Sequence, residues 1–180
     1  MQHPKLALAL LLLAPVVAFA VYAESKYPVP SYREPREAFK TNSAKAGGPK
    51  FRPEDRRIMD HSARDLAATM PDPGLPVGAK APDFVLPNAF GKTRRLTDLI
   101  SDGPVVLVFY RGAWCPYCNL QLRGLRETLP YIEQEGAQLV AITPQTPDKS
   151  REQVQKDGYP FEILSDLDDR VMKEYRWTNG

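Results

Sequence analysis

The sequence predicts an α/β layered domain over residues 77–180, on three observations. Strand-like and helix-like segments alternate from Gly78 onward. Two of the strand segments, residues 104–110 and 138–143, are apolar almost throughout, as suits strands covered on both faces of a parallel sheet. The segment between them, residues 116–135, repeats its apolar positions at helical spacing and ends at Gly136.

The elements follow in order. Residues 84–86 and 93–96 are short strands around Asn88-Ala89-Phe90-Gly91, a hairpin signal. Residues 104–110 form the first buried strand and 116–135 a helix, with Pro116 suited to its first turn. Residues 138–143 are the second buried strand, 147–157 a helix, 161–164 a strand and 168–175 the start of a helix.

The first half has a different character. Residues 6–20 are apolar throughout after a start carrying Lys5, and both Ala18-Phe19-Ala20 and Val21-Tyr22-Ala23 offer small residues to a signal peptidase. Residues 1–23 therefore read as a secretory signal peptide, which places the mature protein in the periplasm or outside the cell. The alternative is an uncleaved membrane anchor, since residues 6–23 are just long enough to span a bilayer. Residues 24–52, dotted with Pro28, Pro30, Pro35 and Pro49, keep no period and read as a disordered linker. Residues 53–76 hold a helix over 53–70 and a proline-rich connector. The helix starts at Pro53-Glu54-Asp55 and carries a partial stripe of Ile58, Met59, Leu66 and Met70, with His61 beside it as a surface or packing residue.

Composition narrows the function. Lys and Arg number 24 against 22 Asp and Glu, too even a balance to argue for nucleic acid or an anionic membrane surface. The 2 cysteines lie within four residues of each other, so they are not the spread set of a disulfide-stapled scaffold. With His3 in the leader, His61 alone cannot complete a zinc site with them. No metal and no cofactor is called for.

The chemistry points to Arg111-Gly112-Ala113-Trp114-Cys115-Pro116-Tyr117-Cys118, which leaves a buried strand and opens a helix. Two thiols at that spacing can close a small disulfide. A helix N-terminus favours thiolate through its unpaired N–H groups and its dipole. A structural disulfide over so short a loop gains little, so a redox role is the stronger reading. Cys118, Leu122, Leu125, Leu129 and Ile132 share one helix face, which predicts Cys118 inward and Cys115 exposed as the attacking thiol. Trp114 and Tyr117 would shield the pair and present a flat surface to a partner.

Three stretches resemble the peroxiredoxin-like (alkyl hydroperoxide reductase/thiol-specific antioxidant) branch of the thioredoxin superfamily: Val77-Gly78-Ala79-Lys80-Ala81-Pro82-Asp83-Phe84, Phe109 through Cys118, and Leu164-Ser165-Asp166. The helix over 53–70 is similar to that branch's leading helix. The resemblance implies a thioredoxin-like fold and reduction of hydroperoxides through a cysteine sulfenic acid. A thioredoxin-like or other thiol reductant would then restore the enzyme. Typical members carry Pro-x-x-x-Thr-x-x-Cys, which lays the proline on Arg111, the threonine on Cys115 and the peroxidatic cysteine on Cys118. Cys-Pro-Tyr-Cys is instead the glutaredoxin form. The resemblance thus leaves two orders open: Cys118 attacks a peroxide and Cys115 resolves it, or Cys115 attacks a protein disulfide, as in a thioredoxin-like thiol–disulfide oxidoreductase. Arg111, with Trp114 beside it, is the candidate thiolate support; Arg123 and Arg126 read as solvated helix charges.

Thioredoxin folds continue with an antiparallel hairpin that starts at a cis-proline, and then a closing helix, and the family places a supporting arginine there. None of these follows residue 175 before Gly180. The expectation is a truncated domain whose strand 104–110 has an open apolar edge, with a non-catalytic product as a third reading.

Overall fold

The computed structural model describes residues 30–47, 52–70 and 73–177. The elements described fall in one compact unit that begins at Ser31. The leader at 1–23 lies outside the described residues. Among the described residues no helix is long and apolar enough to cross a membrane.

The core is a three-stranded parallel sheet in the order β3-β4-β5, formed by Val105–Phe109, Gln138–Thr143 and Glu162–Ser165. Helix α4 (Pro116–Gln134) makes the crossover from β3 to β4, and α5 (Pro147–Asp157) the crossover from β4 to β5. The register runs Val105↔Gln138 to Phe109↔Ile142, and Val140↔Glu162 to Thr143↔Ser165. Strand β4 is buried almost end to end, and its alternation divides the core in two. Val140 and Ile142 face a cluster with Phe84, Leu86, Leu99, Leu164 and Met172. Leu139 and Ala141 face Tyr110, Leu122, Leu129, Phe161 and Ile163.

The hairpin of β1 (Val85–Pro87) and β2 (Thr93–Arg95) is antiparallel. Its turn is organised by buried Asn88, whose Oδ1 accepts from the N–H groups of Phe90 and Lys92, both at 2.9 Å. The same turn is tied to β5: Asn88 Nδ2 donates to Glu162 Oε2 at 2.9 Å, and the Ala89 N–H donates to the Ile163 carbonyl. An asparagine at this position both shapes the turn and fastens it to the sheet.

Local signals explain the helix ends. Thr146 caps α5, with Pro147 in the first turn and Gly158 left-handed beyond the C-terminus. Buried Asp166 accepts from the N–H groups of Val171 (3.2 Å) and Met172 (2.9 Å) at the start of α6 (Arg170–Glu174). Burial pushes the Asp166 carboxyl up, and these two N–H groups oppose the rise. In the Ala81-Pro82-Asp83-Phe84 stretch, Asp83 accepts from the Thr97 N–H, and the Pro82 carbonyl accepts from the Tyr175 hydroxyl at 2.7 Å. Burial raises the Tyr175 phenol to about 12, so it stays a donor across the neutral range.

Four expectations change. Arg33–Lys45, within the segment read as a disordered linker, is a helix (α1). It has no buried residue; Arg36, Phe39 and Ser43, at spacings of three and four, form its one half-covered face, a stripe too short to register as a period. Leu96 is not the end of a strand but opens a short helix, α3 (Leu96–Ser101), that buries Leu96 and Leu99. Strand β3 is only partly covered on its two faces: Val105, Leu107 and Phe109 pack against one cluster and Val108 against the other, while Val106 is exposed, and among the described residues β3 lies at the sheet edge, as the open edge expected for 104–110 requires. A continuous apolar run cannot by itself separate a central strand from an edge strand. The helix over 53–70 forms as α2 (Pro53–Thr69), but its Ile58, Met59 and Leu66 are exposed and His61 pairs with Asp65 at 2.7 Å.

Leu122 is fully buried against β4, so Leu122→Ala is expected to cost about 2–5 kcal/mol of unfolding free energy, read from urea denaturation. A loss below about 1 kcal/mol would contradict this packing.

Candidate active site

The end of β3 delivers the chain to the site. The Tyr110 N–H extends the ladder by donating to the Ile142 carbonyl, and the chain then turns through Arg111, Gly112, Ala113 and Trp114 into α4. Gly112 has φ of +134°, and a Cβ there would lie 2.8 Å from Trp114 Nε1 and 3.2 Å from Gln145 Oε1. Both backbone and space therefore call for glycine. Cys115 is the N-cap of α4, and Pro116 occupies the first turn without leaving a donor unmet.

The two sulfurs adjoin across the first turn of α4, placed so that a disulfide can close between Cys115 Sγ and Cys118 Sγ with little backbone movement. Cys115 Sγ also accepts weakly from the Cys118 N–H at 3.4 Å. Their exposure reverses the order read from the helical stripe. Cys115 is buried at 3% exposure, and Cys118 is the partly exposed member. The cause is the cap: an N-cap side chain folds back over the first turn to meet the N–H groups there, which draws Cys115 Sγ inward. Burial and the Cys115 thiol push the Cys118 thiol up; the Arg111 backbone amide and the Arg111 charge oppose them.

Arg111 and Trp114 are brought together as a pair. The guanidinium lies 4.6 Å from the centre of the Trp114 ring, which is itself 67% exposed. Arg111 thus bears on the thiols through its backbone and long-range charge. Arg126 donates to the Asp157 carbonyl at 2.7 Å, linking α4 to the end of α5. Arg123 lies on the rim of a cleft of about 390 Å³, with Phe39, Pro116, Asn119, Lys149 and Lys156.

Behind the turn lies a polar network that the sequence reading missed. Gln145 Oε1 accepts from the Ala113 N–H at 3.0 Å, and the Ala113 carbonyl accepts from Asn119 Nδ2 at 2.7 Å. Asn119 Oδ1 accepts from Gln153 Nε2 at 2.9 Å. Gln153 Oε1 in turn accepts from the Tyr110 hydroxyl at 2.8 Å and from Gln145 Nε2 at 3.1 Å. Tyr110, Ser150 and Gln153 are buried. Burial drives the Tyr110 phenol well above its usual range, which keeps it a proton donor. Polar residues closed on one another behind the loop hold the backbone before the cysteine pair from both sides. The only sequence signal was Ser150 and Gln153 at spacing three on the inward face of a helix.

Comparisons with known proteins identify the family. The AhpC/TSA family model matches residues 77–180, more than half of the chain. The chain is 32% identical over 100 residues to thiol-disulfide oxidoreductase ResA of Geobacillus thermodenitrificans, covering 55% of this chain and 56% of that protein. It is 34% identical over 102 residues to peroxiredoxin Bcp of Escherichia coli, covering 56% of this chain and 64% of that protein. Among solved structures it resembles peroxidoxin BcpB of Mycobacterium tuberculosis with a TM-score of 0.53 and 32% identity, over 54% of this chain and 64% of that one. The chain thus spans somewhat over half the length of the relatives it matches. The fold is thioredoxin-like, and the chain belongs to the AhpC/TSA family of peroxiredoxin-type thiol oxidoreductases.

Proposed function

We propose that the protein is a thiol peroxidase in which Cys118 attacks the hydroperoxide and Cys115 resolves it. The observation that carries this reading is the arrangement of the pair: Cys118 is the thiol that reaches solvent, and its sulfur touches that of buried Cys115. Cys118 also sits where the family pattern places its peroxidatic cysteine. The Cys118 thiolate takes the terminal oxygen of the peroxide, the O–O bond breaks, and the alkoxide leaves with a proton as alcohol. Cys118 is then a sulfenic acid. The Cys115 thiol displaces its hydroxyl as water and closes a disulfide. A thioredoxin-like protein dithiol or another thiol returns the pair to two thiols and is itself oxidised.

The second reading is a thiol–disulfide oxidoreductase acting on protein disulfides. The ResA match and the exposed Trp114 next to the pair favour it. The raised Cys118 thiol favours it too, because a peroxidase gains from a ready thiolate. The apolar leader supports action at or beyond the membrane for both readings.

In peroxide consumption coupled to a thioredoxin system, Cys118→Ser is expected to abolish turnover. In Cys115→Ser a sulfenic acid should accumulate on Cys118, trapped by dimedone and located by mass spectrometry. Turnover surviving in Cys118→Ser would refute the peroxidase order. Silence toward peroxide, with protein-disulfide reduction lost in Cys115→Ser, would establish the second reading.

A raised thiol also predicts a pH dependence. Alkylation of Cys118 by iodoacetamide in the reduced protein should still be climbing above pH ~8.5, the ordinary cysteine value. Because the folded state holds this proton more tightly than the unfolded chain, the reduced protein should lose stability as pH rises past that value. Alkylation that levels off below pH 8 would contradict both expectations.

A further inference from the structure

Helix α1 is seated on the redox turn. The Tyr32 hydroxyl, just before the helix, donates to the Tyr117 carbonyl at 3.3 Å. Phe39 meets the Tyr117 ring edge-on, with centroids 5.2 Å apart and planes at 77°. Phe39 also closes the cleft beside Pro116 and Asn119. The half-covered Arg36, Phe39 and Ser43 form the one face that α1 turns inward.

The position matters because of how disulfides are reduced. A thiolate attacks one sulfur through a mixed disulfide, and a protein dithiol brings its own main chain close against the turn as it does so. On one side of the pair the turn presents Trp114, open to solvent. On the other side it presents Pro116 and Tyr117, exposed themselves, with Tyr32 and Phe39 resting against Tyr117. No residue of α1 is buried, and among the described residues these contacts join it to the turn.

We propose that α1 is a strap that covers the Pro116–Tyr117 face of the disulfide and must lift before a protein dithiol can dock there. The inference rests on the redox pair assigned above. The partner thiolate bonds to one cysteine sulfur and releases the other as a thiol. The partner's second thiolate then attacks the mixed disulfide, leaving Cys115 and Cys118 reduced and the partner oxidised. A small thiol reaches the same bond past Trp114 and does not need the strap to move.

The test uses the full chain, oxidised, with thioredoxin and dithiothreitol as separate reductants of Cys115–Cys118. Phe39→Ala is expected to speed reduction by thioredoxin about 2- to 12-fold, the factor that one aromatic pair is worth, and to leave the dithiothreitol rate unchanged. Tyr32→Phe removes only a hydroxyl from an exposed site and should speed the thioredoxin reaction less, in the same direction. Trypsin should cut more readily at Arg36 and Lys40 in Phe39→Ala. Equal thioredoxin rates in all three proteins, or equal acceleration by both reductants, would overturn the strap. A wild-type chain that forms no Cys115–Cys118 disulfide on oxidation would instead overturn the redox reading on which it rests.

Discussion

Strand β4 is held between two parallel neighbours and buried on both faces, and everything else in the domain is arranged around that burial. Its alternation of Leu139 and Ala141 against Val140 and Ile142 separates two apolar clusters, one under α4 and one under the hairpin and α6. The parallel order requires a crossover on each side of β4, and α4 is the crossover that leads in from β3. The redox turn lies where β3 ends and α4 begins. Its location therefore follows from the pairing of β3 with β4, which fixes Tyr110 beside Ile142. In open α/β sheets the carboxyl ends of the strands are where such sites form.

Placement alone does not hold a loop of this kind still. The amide and phenol groups of Tyr110, Asn119, Gln145 and Gln153 bond to one another and to both sides of the Ala113 peptide. Each of these groups would be costly if left unpaired, so their mutual hydrogen bonds favour this arrangement. That arrangement fixes the peptide two residues before Cys115. The thiol pair thus follows a loop held from behind by this network, and the exposed Arg111–Trp114 pair stands on the outside of the same loop.

Exposure and acidity work against each other at Cys118. The N-cap geometry buries Cys115 and leaves Cys118 open to solvent, while burial of the turn still disfavours the Cys118 thiolate. Arg111 works against that penalty through its amide and its charge. The balance between them sets how much Cys118 thiolate is present at neutral pH.

The α/β class, the alternation of strands and helices after Gly78, the hairpin at Asn88 and the placement of two cysteines at a helix start were all legible in the sequence, because each is written in local signals: apolar period, a turn residue, a proline at a helix start, two thiols at spacing three. The bounds of β4 and α5 agree with the residues that predict them, since Gly136 and Thr146-Pro147 mark them locally. What only the tertiary structure decided depends on which surfaces meet. Strand β3 reads as fully covered and is only partly buried, because how deeply a strand is covered depends on the elements packed against it and not on its own run of valines. Cys115 and Cys118 exchange the exposure that helical periodicity assigns them, because a cap folds back on its helix and breaks the period at its first residue. Helix α1 escapes a periodic reading because its one covered face is three residues long. The network behind the turn joins residues up to 43 positions apart, and no local pattern records a contact of that range.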